Sequence, residues 1–178
     1  MSRKASGRSI VLIGFFGTGK SEVGWQLALQ KGLRFLEMEE LVEESMGLPL
    51  PWILSERGAP AFRDAESTAL KKLTREPPAV IAACATVVRR PLNITRLRAL
   101  GTVVRLTANT PALLARLDYA VERPLLPEGH LQRTVRRLLD SWEAAYHQAA
   151  DFTVDTSVRT PEQAADDIQE LLAVGKQG

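Results

Sequence analysis

This 178-residue sequence lacks features that define several classes of protein. Its single cysteine, Cys84, excludes an internal disulfide and fits a reducing, cytoplasmic compartment. The two histidines, His130 and His147, have no partner at a spacing typical of a metal site. No apolar run is long enough to span a bilayer, and the first nine residues are polar and basic without an apolar core. We therefore expect neither a membrane partner nor a targeting segment.

The sequence also has little excess charge of either sign. Lys and Arg number 23 and Asp and Glu number 21, a net charge of +2, which argues against a nucleic-acid partner. The arginine pairs at 89–90 and 136–137 are interpreted as solvated helix faces. A hydrophobic content of 45% supports one core, so we expect a single domain over 1–178, with a flexible segment at 1–8 and a monomeric state.

The most informative segment is an apolar run followed by Gly-x-x-x-x-Gly-Lys-Ser at residues 14–21. This pattern predicts a phosphate-binding loop between a buried strand and a helix. The strand–loop–helix context distinguishes it from a glycine-rich turn that matches by chance. Lys20 is placed to reach terminal phosphates, and the Ser21 hydroxyl is a typical ligand of hydrated magnesium. The sequence thus predicts binding of ATP and Mg²⁺.

Short β-branched runs alternate with amphipathic helical stretches along the chain. This alternation predicts a three-layer α/β fold with a parallel five-stranded sheet. Thr110-Pro111 and Thr160-Pro161 each predict an N-cap followed by a first-turn proline. Residues 119–130 have no clear period and contain two prolines, which predicts a lid over the phosphates. The predicted strands are Ile10–Ile13, Arg34–Leu36, Ala79–Ala82, Thr102–Leu106 and Phe152–Val154.

Two carboxylates, Glu37 and Glu39, follow the second predicted strand. That strand end opens onto the same crevice as the phosphate loop, so one carboxylate would steer hydrated magnesium and the other accept a proton from an acceptor hydroxyl. The alternative is the acidic first turn of the next helix, complementing its dipole. The sequence leaves both readings open.

The sequence contains no Asn-Lys-x-Asp motif and no aspartate at the end of the third or fourth strand, which disfavours a GTPase or a mechanical ATPase.

Several further motifs resemble the shikimate kinase family over roughly residues 9–172. They are the loop Ile-Gly-Phe-Phe-Gly-Thr-Gly-Lys-Ser, Phe-Arg-Asp-Ala-Glu at 62–66, Arg-Pro-Leu-Leu at 123–126, and Asp-Phe-Thr-Val-Asp-Thr at 151–156 with Arg159 and Pro161. The resemblance implies a P-loop NTPase fold of the nucleoside-monophosphate-kinase type and a small-molecule acceptor.

The resemblance also implies roles for individual residues. Lys20 and Arg123 would clamp the transferring phosphoryl group, and Ser21 with Glu37 would hold magnesium. Glu39 would act as the base, and Arg63 would bind the shikimate carboxylate. The implied nucleotide-binding positions are Gly14, Gly17, Thr18, Gly19, Lys20, Ser21, Glu22, Arg123, Arg159 and Pro161, and the implied acceptor positions are Glu39, Arg63, Ala85 and Trp142.

The chain departs from the family pattern on the acceptor side. Glu37 and Glu39 replace two aspartates, Cys-Ala-Thr at 84–86 replaces a triple glycine, and Trp142 replaces an arginine. Trp142 fits either core packing, because it lies on the helical stripe with Val135 and Tyr146, or an altered acceptor pocket. Two hypotheses for the whole protein stay open: a kinase for shikimate or an altered polyol or hydroxy acid, and a weak or inactive nucleotide-binding homologue with a regulatory role.

Overall fold

The computed structural model describes residues 8–118 and 130–175. Its centre is a parallel five-stranded sheet with the order β2-β3-β1-β4-β5. All five predicted strands are present, and four of them extend by one residue at one or both ends. The strands are β1 Ser9–Gly14, β2 Arg34–Glu37, β3 Ala79–Ala82, β4 Gly101–Thr107 and β5 Phe152–Asp155.

Helices cover both faces of the sheet, which confirms the three-layer prediction. Alternate residues of β1 supply the two cores: Val11 and Ile13 pack on one face, Ile10 and Leu12 on the other. The helices are α1 Lys20–Lys31, α2 Met38–Met46, α3 Leu50–Trp52, α4 Gly58–Leu73, α5 Pro91–Leu100, α6 Thr110–Asp118, α7 Leu131–Ala149 and α8 Pro161–Val174. A π-helical turn spans Ile53–Arg57 and a 3₁₀ turn spans Val87–Arg89. None of the described helices has the length and apolar character needed to cross a membrane.

One of the two predicted helix caps is confirmed and the other is wrong. Thr160 caps α8, since its side chain accepts from the Gln163 amide in a complete capping box. Thr110, by contrast, is already the first residue of α6. The Asn109 side chain caps this helix by accepting from the Ala112 amide at 2.9 Å. Asparagine is the stronger cap, so the helix begins one residue earlier than the Thr-Pro pattern predicts.

The parallel sheet places the ends of three neighbouring strands at one edge. Gly14 lies opposite Leu106 at the end of β1, and Glu37 lies opposite Ala82 at the ends of β2 and β3. The segments that follow these strands therefore share the carboxyl edge of the sheet, where ligands of such folds bind.

Candidate active site

The phosphate loop lies between β1 and α1, as predicted. Its backbone needs glycine: Gly17 and Gly19 have φ values of 77° and 85°. The loop is tightened from inside by the Thr18 hydroxyl, which donates to the Phe15 carbonyl at 2.9 Å. The 12-residue helix α1 begins directly after it at Lys20. The loop and the positive end of this helix form a site suited to a polyphosphate.

Lys20 points back over the loop. Its ammonium donates to the carbonyls of Gly14 at 3.0 Å and Phe15 at 3.1 Å. Burial lowers the pKa of Lys20, and the nearby carboxyls of Glu39 and Glu37 oppose that shift. The predicted phosphate-binding lysine and both predicted carboxylates therefore lie close together.

Glu37 is hydrogen-bonded to the Ser21 side chain. Burial raises the pKa of the Glu37 carboxyl to about 7, although the Ser21 hydrogen bond opposes the shift. The structure thus brings together the two predicted magnesium ligands, both of which offer the oxygen atoms that this ion prefers.

The acidic residues after β2 have two roles, because some belong to the first turn of α2 and Glu39 also lies at the site. Glu39 and Glu40 lie in the first turn of α2, where they complement the helix dipole. Glu43 has a structural role, since it accepts from the Leu50 amide at 2.6 Å. Glu39 is different because it lies near Lys20: burial raises its pKa and Lys20 opposes that shift. Glu39 therefore belongs to the site as well as to the helix start.

The residues in place of glycine at 84–86 do not project into open space. All three are buried, and the Thr86 hydroxyl donates to Glu66 Oε1 at 2.5 Å. The Cys84 thiol is also hydrogen-bonded to the Glu66 carboxyl. Within residues 8–118 and 130–175, His130 is the one non-glycine residue with a positive φ, so the backbone at 84–86 accepts side chains without strain.

Residues 84–86 form a wall of the site, and the buried carboxyl of Glu66 holds two of them by hydrogen bonds. It is fully buried on α4, its Oε2 has no hydrogen-bond partner in the described structure, and burial raises its pKa to about 7. The charges of Arg63 and Glu39 act on it with opposite signs. Arg63, the predicted carboxylate anchor, therefore lies on the acceptor side with Glu66 and Glu39.

Ala85, the remaining residue of the wall at 84–86, is held by helix α7. Its carbonyl accepts from the buried Tyr146 hydroxyl of α7 at 2.7 Å. The Tyr146 ring also packs against Arg105, whose guanidinium makes a bidentate ion pair with Glu143. Helix α7 is thus joined to the loop after β3 at the predicted substrate-binding position.

Trp142 confirms the packing interpretation, and the altered acceptor pocket stays a prediction. It is 7% exposed, and its ring centroid lies 5.5 Å from Phe15 and 6.1 Å from Phe16 of the phosphate loop. It therefore packs in the core and also borders the site. The Arg89 guanidinium lies over this ring, with Cζ 5.5 Å from the centroid.

A cavity of about 530 Å³ lies beside the phosphate loop and contains most of the predicted nucleotide-binding positions. Glu22 is exposed here, so its charge is directed to solvent. Arg159 also lines the cavity but pairs with Asp167 at 2.9 Å. The lining residues are Gly17, Thr18, Gly19, Lys20, Ser21, Glu22, Val23, Arg116, Thr156, Arg159 and Pro161.

Arg116 and Thr156 are functional candidates that the sequence analysis missed. Arg116 donates to the carbonyls of Gly17 at 3.0 Å and Thr156 at 2.6 Å. The Thr156 hydroxyl donates in turn to the Thr18 carbonyl at 2.9 Å. No local motif marks Arg116, because only the pairing of β1 with β4 brings α6 beside the phosphate loop. Arg123 and residues 119–129 of the predicted lid lie outside the described residues.

Comparison with known proteins finds similarity to shikimate kinases in sequence and in structure. The family model for shikimate kinase matches residues 16–173. The shikimate kinase of Thermodesulfovibrio yellowstonii is 36% identical over 172 residues, covering 95% of this chain and 99% of that one. The shikimate kinase of Geobacter sulfurreducens is also 36% identical, with coverage of 97% and 94%. The structure of Acinetobacter baumannii shikimate kinase in complex with shikimate superposes with a TM-score of 0.92 at 29% identity, covering 97% of each chain.

Proposed function

The chain belongs to the shikimate kinase family, and from this premise we propose that it transfers the terminal phosphoryl group of ATP to a hydroxyl of shikimate or a closely similar hydroxy acid. The observation that carries the proposal is the convergence of Lys20, Glu37 and Glu39 at the carboxyl edge of the sheet. Arg63 on α4 supplies a cation on the acceptor side of the same cleft. The Acinetobacter relative, whose fold is the same, binds shikimate.

On the donor side, residues 14–21 would hold the phosphates through backbone amides and Lys20. The nucleoside end would lie in the cavity lined by Arg116, Arg159 and Pro161. Lys20 would exchange its two carbonyl partners for the terminal phosphates and offset the negative charge that develops there during transfer. Arg123, outside the described residues, is proposed to add a second positive charge to the same group.

Ser21 and Glu37 fit a magnesium ion. A hydroxyl and a carboxylate already lie within hydrogen-bonding distance, and Mg²⁺ in such sites keeps several waters in addition to one or two protein ligands. In the described part of the chain no three His, Cys, Asp or Glu side chains converge as a metal site, and a hydroxyl and a carboxylate completed by waters do not require such a cluster. When bound, the ion would neutralise phosphate charge.

On the acceptor side, Glu39 would take the proton from the attacking hydroxyl. The hydroxyl oxygen forms a bond to the terminal phosphorus as the bond between that phosphorus and the ADP oxygen breaks. Burial brings the pKa of Glu39 up from its usual range, and Lys20 limits that rise. A carboxylate poised in this way is a stronger proton acceptor than one in water.

The test is a phosphoryl-transfer assay of the purified protein with ATP, Mg²⁺ and shikimate, read by ADP release and by ³¹P NMR of the product. We expect shikimate-dependent ADP release and a new phosphate ester. Tight ATP binding with no transfer to shikimate or any other hydroxy acid or polyol would refute the proposal and favour the regulatory homologue.

A cytoplasmic location and a monomeric state stay predictions. The location is supported by the proposed use of ATP, a cytoplasmic phosphoryl donor. Sedimentation velocity at micromolar concentration checks the oligomeric state, and a monomer is expected near 19.6 kDa.

A further inference from the structure

The guanidinium of Arg89 lies at the cleft but has no role in the proposed phosphoryl transfer. The exposed Arg89 side chain lies over the face of the Trp142 indole, which is itself 7% exposed. The same indole also packs near the rings of Phe15 and Phe16 of the phosphate loop. Arg89 therefore presents a positive charge beside the phosphate loop, at the rim of the acceptor side.

Both the backbone and the guanidinium of Arg89 are held in place. Its backbone amide donates to the Thr86 carbonyl at 3.0 Å, which ties the residue to the buried wall at 84–86. Its guanidinium rests on the indole, which reduces the conformational entropy lost when a ligand binds. A contact with the ring uses no guanidinium N–H donor in a hydrogen bond, so these donors stay available for a planar anion.

Other arginines nearby are already paired. Arg90 forms an ion pair with Asp64 at 2.7 Å, and Arg105 pairs with Glu143. Within residues 8–118 and 130–175, Arg89 has no carboxylate partner, and its guanidinium lies over the Trp142 ring. Among the described residues, no carboxylate therefore offsets the charge of Arg89 at the cleft.

The acceptor side needs such a cation. Three carboxyls border it, Glu37, Glu39 and Glu66, and each would repel an anionic acceptor when ionised. Arg63 interacts with Glu66, so that carboxyl offsets part of the positive charge of Arg63. A carboxylic acid substrate would therefore gain from a second cation.

We propose that Arg89, seated on Trp142, binds the carboxylate of the acceptor and sets the specificity of this enzyme for an anionic substrate. This inference rests on the proposed function and names a further residue of the same site. Bidentate pairing of a guanidinium with a carboxylate is the strong form of such a contact.

The test compares shikimate with its uncharged methyl ester in the wild-type protein, Arg89→Gln and Arg89→Lys. The control variant is Arg90→Gln, which removes a neighbouring charge that is already paired with Asp64. We expect Arg89→Gln to raise the KM for shikimate about 10- to 100-fold. The KM for the ester, the KM for ATP and kcat should stay within about twofold, Arg89→Lys should recover part of the loss, and Arg90→Gln should behave as wild type.

The ratio of the two KM values separates binding from a general structural effect. An altered fold would raise the KM for acid and ester together, whereas loss of a carboxylate contact removes the preference for the acid. An unchanged preference in Arg89→Gln would overturn the inference and leave the proposed function intact.

A binding measurement keeps the inference testable if no phosphoryl transfer is found. In a Trp25→Phe, Trp52→Phe background, where the two replaced rings are 54% and 57% exposed, Trp142 is the sole tryptophan. We expect shikimate to change its emission with Arg89 present and to bind at least about tenfold more weakly with Arg89→Gln. Binding that depends on Arg89 without turnover would refute the proposed function and support this inference. Absence of shikimate binding to the wild-type background, or equal binding to both proteins, would overturn it.

Discussion

Lys20 is the residue on which the nucleotide assignment depends. Replacing it with methionine keeps most of the side-chain length and removes the charge. We expect Lys20→Met to lower phosphoryl transfer at least about 100-fold or to abolish ATP binding, because a preorganised cation at the phosphates is lost. The measurements are ATP titration calorimetry and turnover, with circular dichroism to confirm folding.

Lys31, exposed at the other end of the same helix, provides the control. Lys31→Met should leave both ATP affinity and turnover unchanged. If Lys20→Met also leaves both unchanged, the assignment of the loop is wrong.

Glu66 makes stability depend on pH in a direction that the structure specifies. Because burial raises its pKa from 4.5 to about 7, the folded state binds more protons than the unfolded chain within that range. Its contribution to stability therefore falls as pH rises from about 4.5 to 7 and is constant above. Glu66→Gln should remove this loss of about 3 kcal/mol.

The measurement is urea unfolding of both proteins at pH 5 and pH 8. The groups around Glu66, namely Thr86, Cys84, Arg63 and Glu39, are the same in both proteins, so the difference isolates residue 66. The variant should gain on the wild type as pH rises. Parallel pH profiles would contradict the raised pKa.

At the scale of elements, the contact between α7 and the loop after β3 holds the acceptor wall. Tyr146→Phe removes the hydroxyl that donates to the buried Ala85 carbonyl and leaves that carbonyl unpaired. We expect a loss of about 1–3 kcal/mol in the free energy of unfolding. Chemical denaturation checks the value, and a loss under about 0.3 kcal/mol would show that the contact does not secure the wall.

The predicted lid at 119–130 is tested by hydrogen exchange. Arg123 within Arg-Pro-Leu-Leu is proposed to contact the phosphates, so saturation with a nonhydrolysable ATP analogue should slow exchange across this segment. Helix α5, remote from the nucleotide cavity, serves as the internal control. Equal exchange with and without nucleotide would count against a lid that closes.

Local signals in the sequence predicted the elements well. The strands follow from short β-branched runs, and the phosphate loop from a motif whose spacing matches its chemistry. The cap of α6 was predicted one residue too late, because a proline at the second helical position resembles one at the first. Sites built by tertiary pairing were beyond local reasoning: Arg116 reaches the loop through strand order, and Arg89 meets Trp142 from 53 positions away in the sequence.

At the scale of the whole molecule, the proposed acceptor cleft is assembled from the end of β2, the loop after β3 and α7. We predict that Trp142→Arg, glycines at 84–86 and aspartates at 37 and 39, combined in one protein, raise shikimate kinase activity at least about tenfold. The combination restores the family residues at 84–86, adjusts the reach of the base and supplies an anchor. Steady-state kcat/KM for shikimate is the measurement.

Each change alone should do much less, because base, wall and anchor act as one unit. Trp142→Arg by itself also removes the ring on which Arg89 rests. A wild-type protein that already phosphorylates shikimate as efficiently as an ordinary metabolic kinase would refute this reading of the acceptor side.

The hydrogen bond from the Thr156 hydroxyl to the Thr18 carbonyl joins residues 138 positions apart. This contact with the phosphate loop therefore forms only after the last strand has docked beside β4. Closing such long stretches of chain before any contact compensates the lost entropy makes folding slow for topologies of this kind. The loop lies near the start of the chain, yet this contact needs its last strand, so we expect ATP to bind the finished domain and not to guide its assembly.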